Sequence, residues 1–370
     1  MEKKEKAIIV LFDYQMFNLQ KYGGISRYFA NTFYKVKKSL KVSCKLGLLF
    51  SNNHYIKNER FPLNNFFFRW LFNKESRIKK WNKVYCKYLL KRNNFDVFHP
   101  TYFNPYFLKY LKKPLVITIH DMTYEALPEY FSNADPLTFQ KRFLAHKADK
   151  IIAISQNTKN DIIRYFNINE NKIEVIHHGI DLKMPVNTKI VENIPEEFLL
   201  YVGDRNGYKN FYRYLSLCYK LKEIFPKLNF VFVGGGAFKV AEKERLRSHN
   251  LTDYCTQINA SDEQLNYLYT KARLFVFPSL YEGFGLPILE AFKVGCPIAS
   301  SNNSCFKEIG GNAIAYFDPY NVSDIYDVVF SVLKNSSRRK ELINNGFDRI
   351  NFFPLEKQIS ETIELYKSLC

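Results

Sequence analysis

Short apolar segments alternate with amphipathic stretches along the whole chain. Most of the apolar segments are continuous runs that end in a loop, which is typical of strands covered on both faces of a parallel sheet. The first half holds six such predicted strands: Ala7–Phe12, Lys45–Phe50, Val97–His99, Leu115–His120, Lys150–Ile154 and Ile173–Ile176. Stretches with helical periodicity lie between them, and Ser155 is placed to cap the predicted helix Gln156–Phe166.

The same alternation starts again in the second half. The predicted strands there are Phe198–Gly203, Leu228–Val233, Leu274–Phe277, Pro297–Ser300 and Ala313–Phe317. Two successive β-α-β runs predict an α/β protein with two Rossmann-like, doubly wound domains that face each other across a cleft. The polar segment Gly179–Glu196 with its two prolines is the predicted linker, so we place the domains at residues 1–185 and 186–353.

Length and composition agree with this organisation and exclude several classes of protein. A chain of 370 residues is long enough for two α/β domains, and 46% hydrophobic residues exclude a disordered protein. The seven cysteines include no CxxC pair, which argues against a disulfide framework or a zinc site and favours a reducing cytosol. The apolar run before Asp13 is too short for a signal peptide, and no run is long enough to span a membrane. We therefore expect a cytoplasmic protein.

The net charge of +18 is concentrated in the first half. Up to Pro185 there are 32 Lys and Arg against 15 Asp and Glu, whereas the remainder has 22 against 21. The stretch Lys57–Arg92 alone holds eleven basic residues with large aromatics such as Trp70, Trp81 and Tyr85 between them, and only Glu59 and Glu75 oppose them. A basic helix with large aromatics is typical of a surface that lies on an anionic membrane. A solvated helix whose aromatics face the core is the alternative.

The segment around Glu282 and Glu290 carries the most specific chemistry. A predicted strand precedes it, a predicted helix begins at Ile288, and the turn between them contains Gly283 and Gly285. Glycines let the backbone approach a ligand closely, and free amides at a helix start suit an anion such as a diphosphate. The full string from Phe277 to Pro287 resembles the E-x7-E motif of glycosyltransferase family 4, the large retaining family of GT-B fold.

This resemblance implies a donor site for a nucleotide sugar in the second domain. It implies that Glu282 contacts the sugar, that Glu290 binds the ribose, and that the amides of Phe284, Gly285 and Leu286 hold the diphosphate. The segment Tyr201–Asn210 is similar to the family's loop in which an Arg and a Lys, here Arg205 and Lys209, bind the diphosphate. Two cations on a glycine-bearing loop suit the charge of a departing nucleoside diphosphate.

Two segments of the first domain also match the family. Tyr22–Arg27 is similar to its N-terminal glycine loop, with Gly23 and Gly24 near the phosphates and acceptor. The strand before His120 delivers His-Asp to its carboxyl end, where open α/β sheets bind ligands. In the family this histidine approaches the donor sugar, and we expect Asp121 to orient it. The family's terminal helix packs back on the first domain, which implies the same for residues 354–370.

Together with these segments, the family resemblance implies a metal-independent, retaining hexosyltransferase without a cofactor. The predicted partners are a nucleotide-sugar donor, a saccharide or lipid-linked saccharide acceptor, and an anionic membrane surface at the inner face of the cytoplasmic membrane. Segments such as Tyr22–Tyr28 and His99–Tyr106 look most like bacterial surface-polysaccharide transferases (O-antigen or capsule), which favours mannose from GDP-mannose. A GT-B epimerase or phosphorylase, or a basic nucleic-acid-binding protein, remains as an alternative, although no nucleic-acid-binding motif is present and we expect no nucleic-acid partner.

Overall fold

The computed structural model describes residues 7–57, 59, 75–132, 134–205 and 207–370. The chain forms two compact units. The first comprises residues up to Glu125, then Asn133–His178 and Glu356–Cys370; the second comprises Ala126–Ser132 and Gly179–Leu355. The main division therefore falls between His178 and Gly179, seven residues before the predicted boundary, and the C-terminal segment groups with the first unit.

The first unit is built on parallel strands: β1 Ile8–Phe12, β2 Val42–Leu46, β3 Val97–His99, β4 Val116–Ile119, β5 Lys150–Ala153 and β6 Ile173–Val175. Its helices are α1 Gln15–Leu19, α2 Gly24–Lys37, α3 Glu75–Arg92, α4 Thr123–Ala126, α5 Leu137–Lys147 and α6 Gln156–Phe166. The orders β2-β1-β3 and β4-β5-β6 meet at a parallel bridge between Phe98 and Leu115. Because β1 lies between β2 and β3, the strand order reverses at the carboxyl end of β1.

The second unit has one six-stranded parallel sheet. Its strands are β7 Phe198–Val202, β8 Asn229–Val233, β9 Cys255–Ile258, β10 Leu274–Phe277, β11 Ile298–Ser301 and β12 Ile314–Phe317, in the order β12-β11-β10-β7-β8-β9. Its helices are α7 Phe211–Ile224, α8 Val240–Ser248, α9 Asp262–Lys271, α10 Leu286–Lys293, α11 Phe306–Gly310, α12 Val322–Lys334 and α13 Ser336–Arg349, and the terminal helix is α14 Leu355–Lys367. The central strands β7 and β10 are almost wholly buried, and the order reverses between them.

The apolar runs predicted most of these strands within one or two residues, and Ser155 caps α6 by accepting a hydrogen bond from the Thr158 amide. Two strands differ. The second strand is Val42–Leu46, three residues before the predicted run Lys45–Phe50, and β9 was not predicted at all. Both are edge strands with partly exposed residues, so neither shows the continuous apolar run of a strand covered on both faces.

No helix in the described part of the chain is long and apolar enough to cross a membrane.

Candidate active site

The loops after β7 and β10 meet where the strand order of the second unit reverses. Lys209 Nζ lies 2.6 Å from Glu282 Oε1, and each of these side chains is only 16% exposed. The Leu280 amide donates to the Tyr208 carbonyl at 2.8 Å, which joins the two loops through the backbone as well. Two residues 73 positions apart in the sequence therefore form one half-buried ion pair at the sheet edge where α/β proteins bind ligands.

The backbone of Glu282 is fixed by the loop that follows β11. The Glu282 amide donates to Ser304 Oγ, and that hydroxyl donates in turn to the Glu282 carbonyl. Asn303 Nδ2 donates to the Leu280 carbonyl at 2.7 Å. Ser304 has a φ of 52°, which is uncommon for a residue with a side chain. Sequence reasoning missed this support, because an Asn-Asn-Ser loop reads as an ordinary turn.

Gly285 starts helix α10 in the left-handed conformation, with φ 86° and ψ 55°. It accepts from the Ile288 amide, and the helix then presents its first amides at the same edge of the sheet. Phe284 is buried with its ring edge-on to Phe353 at 5.7 Å. Leu286 and Glu290 lie in the first two turns of α10, both half-buried. This arrangement suits an anion at the helix start.

Arg205 has a different environment from the one expected of a diphosphate ligand. Its side chain is 2% exposed, and Nε donates to Glu242 Oε1 at 3.1 Å. The two terminal nitrogens donate to backbone carbonyls of the loop after β8, those of Gly234, Gly235, Gly236 and Ala237, at 2.7 to 3.3 Å. The guanidinium also lies 4.9 Å from the centre of the Phe238 ring. In this structure, Arg205 joins the loops after β7 and β8.

The glycine loop after β8 approaches the loop after β7 very closely. A Cβ atom on Gly234, whose φ is 101°, would lie 2.9 Å from the Gly203 carbonyl oxygen. Real Cβ atoms are almost never this close to a backbone atom, so a side chain at Gly234 would force the two loops apart. Glu242 adds a second anchor, because its Oε2 accepts from the Lys239 amide at the start of α8.

In the first unit, Gly23 and Gly24 precede and begin helix α2. Gly23 has φ 160° and ψ 156°, an extended conformation, so its backbone alone does not require glycine. A Cβ there would meet the Gln20 side chain, whose Oε1 accepts from the Ser26 amide and so holds the turn. Ser26 Oγ donates back to the Gly23 carbonyl at 3.0 Å.

The carboxyl end of β1 holds a buried carboxylate that sequence reasoning did not single out. Asp13 accepts from the amide and hydroxyl of Thr101, both at 2.8 Å, and from Gln15 Nε2 at 2.7 Å. Tyr106 donates to it at 3.2 Å. Burial raises the pKa of Asp13, although these hydrogen bonds oppose the rise. The network joins the segments after β1 and β3 at the reversal of strand order. The only signal in the sequence is a polar Asp-Tyr-Gln directly after a buried strand.

His120 follows β4 and is 8% exposed. Its ring lies edge-on to Tyr28 at 5.0 Å and stacks on His178 at 5.6 Å. Nε2 is buried and has no hydrogen-bond partner among the described residues. Burial lowers the pKa of His120 to about 4, against a smaller opposing effect of Asp121, so the ring is neutral at pH 7. It can accept or donate a hydrogen bond without carrying charge.

Asp121 does not hold the His120 ring as we expected. Its Oδ1 accepts from the Thr123 amide at 3.0 Å. Lys141 Nζ donates to the Asp121 carbonyl at 3.1 Å and forms a buried ion pair with Glu125 at 2.7 Å. Burial raises the pKa of Asp121, but the Lys141 charge and the Thr123 hydrogen bonds outweigh this and lower it overall. Asp121 and Lys141 thus fix the backbone beside His120, and the aromatic neighbours fix its ring.

Comparison with models of known protein families finds glycosyltransferase matches in both halves of the chain. Residues 187–349 match the family described as "Glycosyl transferases group 1", and residues 52–184 match "Glycosyltransferase Family 4". The chain belongs to glycosyltransferase family 4 (group 1). The Escherichia coli O-antigen chain mannosyltransferase B is 28% identical to this glycosyltransferase over 287 residues, which are 71% of this chain and 73% of the relative. The Salmonella typhimurium O-antigen chain mannosyltransferase RfbU is 26% identical over 66% of this chain and 67% of its own length.

Solved structures confirm the fold of the glycosyltransferase. The crystal structure of Anabaena HepE in complex with UDP and glucose superposes with a TM-score of 0.75 at 14% identity, covering 98% of this chain and 100% of that one. The predicted GT-B fold, two α/β units with parallel sheets, is therefore confirmed.

Two further features of the glycosyltransferase concern its charged groups. Within the described residues, no cluster of three or more His, Cys, Asp or Glu side chains is arranged to hold a metal ion, and this includes the adjacent His177 and His178. Of the basic stretch Lys57–Arg92, residue 58 and residues 60–74 lie outside the described residues. Residues 75–92 form α3, whose Trp81 is 48% exposed.

Proposed function

We propose that this glycosyltransferase moves a hexose from a nucleotide sugar to a saccharide or lipid-linked saccharide acceptor with retention of configuration. The observation that carries the proposal is the ion pair of Lys209 with Glu282 beside the start of α10. A cation and the first amides of a helix suit a diphosphate, and an adjacent carboxylate suits the hydroxyls of a sugar. The site therefore has complementary groups for both halves of a nucleotide sugar.

The candidate site residues of the second unit each have a proposed role in binding the donor. Lys209 and the amides around Phe284, Gly285 and Leu286 hold the diphosphate, Glu282 positions the sugar, and Glu290 binds the ribose. When the donor enters, Lys209 exchanges its bond to Glu282 for the phosphate oxygens, which frees a carboxylate oxygen for the sugar hydroxyls. Lys209 and the helix amides supply the positive charge, so we propose that catalysis needs no divalent metal.

Arg205 takes a positioning role in this proposal. Its donors are bound to the carbonyls after β8 and to Glu242, and the side chain is buried. Releasing it toward a phosphate would leave Glu242 as a buried unpaired carboxylate, which costs several kcal/mol. We propose that Arg205 fixes the glycine loops next to the nucleotide, and that Lys209 is the cation that contacts the diphosphate.

In the proposed reaction the acceptor oxygen attacks the anomeric carbon from the side of the leaving group. The new glycosidic C–O bond forms as the bond from carbon to the phosphate oxygen breaks. The acceptor proton passes to the departing phosphate, and the products are the glycoside and the nucleoside diphosphate. The first unit contributes His120, whose neutral Nε2 can hydrogen-bond a hydroxyl of the sugar or acceptor.

The proposed donor is GDP-mannose, from which mannose is transferred. The proposed process is bacterial surface-polysaccharide (O-antigen) synthesis. Two relatives named as O-antigen chain mannosyltransferases support the sugar. The solved structure of HepE holds UDP and glucose, so a protein of this fold also binds a uridine nucleotide, and the nucleotide that this glycosyltransferase uses has to be tested directly.

The test is a donor screen with purified full-length protein. Thermal shift with GDP, UDP and ADP identifies the nucleotide, and we expect the largest stabilisation with GDP. Transfer to a mannose-terminated acceptor is then followed by NMR of the anomeric proton, and we expect an α-linkage from the α-donor in the presence of EDTA. A β-linked product would refute retention, and loss of turnover in EDTA would refute metal independence. Free product formed without any acceptor would favour an epimerase, and a requirement for phosphate would favour a phosphorylase.

A further inference from the structure

A cavity of about 560 Å³ opens at the edge of the first unit, beside strand β2 and helices α2 and α3. Its apolar lining residues are Leu11, Phe33, Leu46, Leu48, Leu89 and Phe95. Protein interiors are packed as densely as organic crystals, and a space of this size is typical of a ligand site. The cavity contains none of the residues assigned to sugar transfer above.

Three cations line the same cavity: Lys37, Lys45 and Arg92. Among the described residues that line the cavity, Glu59 is the only acidic one, and it is paired with Lys37 at 2.8 Å. Lys45 donates to the Asn94 carbonyl and Arg92 to the Tyr88 hydroxyl, so neither is paired with a carboxylate in the part of the chain described here. The cavity thus combines an apolar floor with two cations whose charge is not neutralised.

Exposed apolar side chains on helix α3 extend the apolar lining of the cavity onto the protein surface. Trp81, Val84 and Tyr88 are 48%, 50% and 50% exposed, and their spacing of three and four residues places them on one side of the helix. Tyr88 also lines the cavity. Helix α3 carries seven Lys and Arg residues against the single acidic residue Glu75. An exposed apolar strip therefore runs into the cavity through a strongly basic helix.

We propose that the cavity and the strip Trp81–Val84–Tyr88 bind an anionic membrane lipid. The hydrocarbon chain lies on the apolar floor, and the phosphate lies between Lys45 and Arg92. A nucleic acid would use the cations and leave the apolar floor uncovered, whereas a lipid uses both. Tryptophan and tyrosine beside lysines are suited to the interface of a bilayer. The inference deepens the proposed function and rests on it in one respect, since a lipid-linked acceptor requires work at a bilayer surface.

Vesicle co-sedimentation of the full-length protein tests the charged part of this site. We expect binding to vesicles of phosphatidylcholine and phosphatidylglycerol (7:3) and much weaker binding to phosphatidylcholine alone. The double variant Lys45→Gln/Arg92→Gln should lower the partition coefficient by about tenfold or more, because each cation near an anionic surface contributes about 1 kcal/mol. The control Lys243→Gln/Arg247→Gln removes the same charge from exposed positions on α8 of the second unit and should bind normally.

The apolar floor is tested with monomeric lysophosphatidylglycerol, below its critical micelle concentration, by calorimetry. We expect one molecule per chain, and Leu46→Trp, which fills the floor, should weaken binding about tenfold or more while the melting temperature stays near that of the wild type. Equal losses of vesicle binding in Lys45→Gln/Arg92→Gln and in the control Lys243→Gln/Arg247→Gln would show that only the total charge of the protein matters. That result would overturn the proposal. Unchanged lipid binding in Leu46→Trp, or tighter binding to a single-stranded oligonucleotide that the Lys45/Arg92 variant loses, would overturn it too.

Assays of sugar transfer and of lipid binding test the proposed function and the lipid site separately. Transfer to a water-soluble acceptor does not use the cavity, so Lys45→Gln/Arg92→Gln should retain that activity. If transfer works and no lipid binds, only the lipid site is refuted. If lipid binds and no sugar is transferred from any donor, the proposed function is refuted and the lipid site stands.

Discussion

At the scale of single residues, the pairing of Lys209 with Glu282 determines the strongest prediction. Lys209→Met removes the cation proposed to hold the diphosphate and leaves Glu282 without its partner at 2.6 Å. We expect kcat to fall by about 100-fold or more, the usual cost of losing one electrostatic contact to a developing negative charge. Steady-state kinetics with the donor found in the screen described above measures this. Lys243→Met, at an exposed position on α8, is the matched control, and an unchanged kcat in Lys209→Met would contradict the assignment.

Arg205 and Glu242 make a separate prediction, because they form one buried ion pair. If Arg205 acts by fixing the glycine loop, then Arg205→Lys and Glu242→Gln should both raise the KM for the donor, change kcat less, and lower stability. The loss should be about 3–5 kcal/mol in Glu242→Gln, which leaves the buried guanidinium without its carboxylate. Donor kinetics and chemical denaturation measure both. A large fall in kcat in Arg205→Lys alone, with Glu242→Gln behaving as wild type, would show instead that Arg205 contacts the diphosphate.

The sequence alone was enough to bring Lys209, Glu282 and Gly285 into one site, because each lies in a short motif beside a buried strand. The environment of Arg205 could not be predicted in this way. Its partners are Glu242 and the carbonyls after β8, which lie 29 to 37 residues further along the chain. Ser304 was missed for the same reason, since its hydrogen bonds with Glu282 form only when β10 and β11 lie side by side.

At the scale of elements, the edge strands explain where strand prediction failed. In β2, Val42 and Cys44 are buried, whereas Ser43 and Lys45 are exposed, so only alternate positions are apolar. In β9 all four residues are partly exposed. A search for continuous apolar runs finds strands that are covered on both faces, and β7, β8 and β10 are of that kind. An edge strand has fewer neighbours and therefore a weaker pattern.

Three strands of the first unit end at, or within three residues of, a buried histidine, and this predicts a pH dependence of stability. Burial lowers the pKa of His99 to about 3 and of His120 to about 4, and it lowers the pKa of His178 as well. Unfolded histidine takes up a proton near pH 6.5 while these stay neutral. Stability should therefore fall as the pH drops from 6.5 to about 4, by about 1.4 kcal/mol per pH unit for each histidine.

Melting temperatures between pH 7.5 and 4.5 test this, with His120→Phe as the variant. Phenylalanine suits the aromatic surroundings of His120, and Nε2 has no partner to lose, so the variant should fold and show a shallower decline. Charged neighbours modify the effect: Asp121 favours protonation of His120, and Arg27 and His177 disfavour it at His178. The raised pKa of Asp13 acts in the opposite direction, because the folded state takes up this proton at a higher pH than the unfolded chain and so gains stability as the pH falls toward 3.8. A melting temperature independent of pH in this range would contradict the prediction.

At the scale of the whole molecule, the chain returns to its first unit at the end. Residues Glu356–Cys370 belong to that unit, and Tyr366 of α14 is fully buried in it. The Tyr366 hydroxyl lies 2.7 Å from His99 Nδ1, and His99 Nε2 lies 3.0 Å from Thr118 Oγ1. The terminal helix is thus tied to β3 and β4 through one buried histidine, close to the strand that delivers His120.

This tie predicts that the terminal helix stabilises a unit whose other residues lie about 180 or more positions earlier in the sequence. Tyr366→Phe keeps the ring and removes only the hydroxyl, which leaves a buried His99 nitrogen without its partner. We expect a loss of about 1–3 kcal/mol in chemical denaturation, the cost of an unsatisfied buried polar group. Tyr22→Phe, at a position 60% exposed in the same unit, should change stability by less than about 0.5 kcal/mol. Equal stability of the two variants would show that α14 is held by apolar packing alone, and that the histidine does not link it to the site.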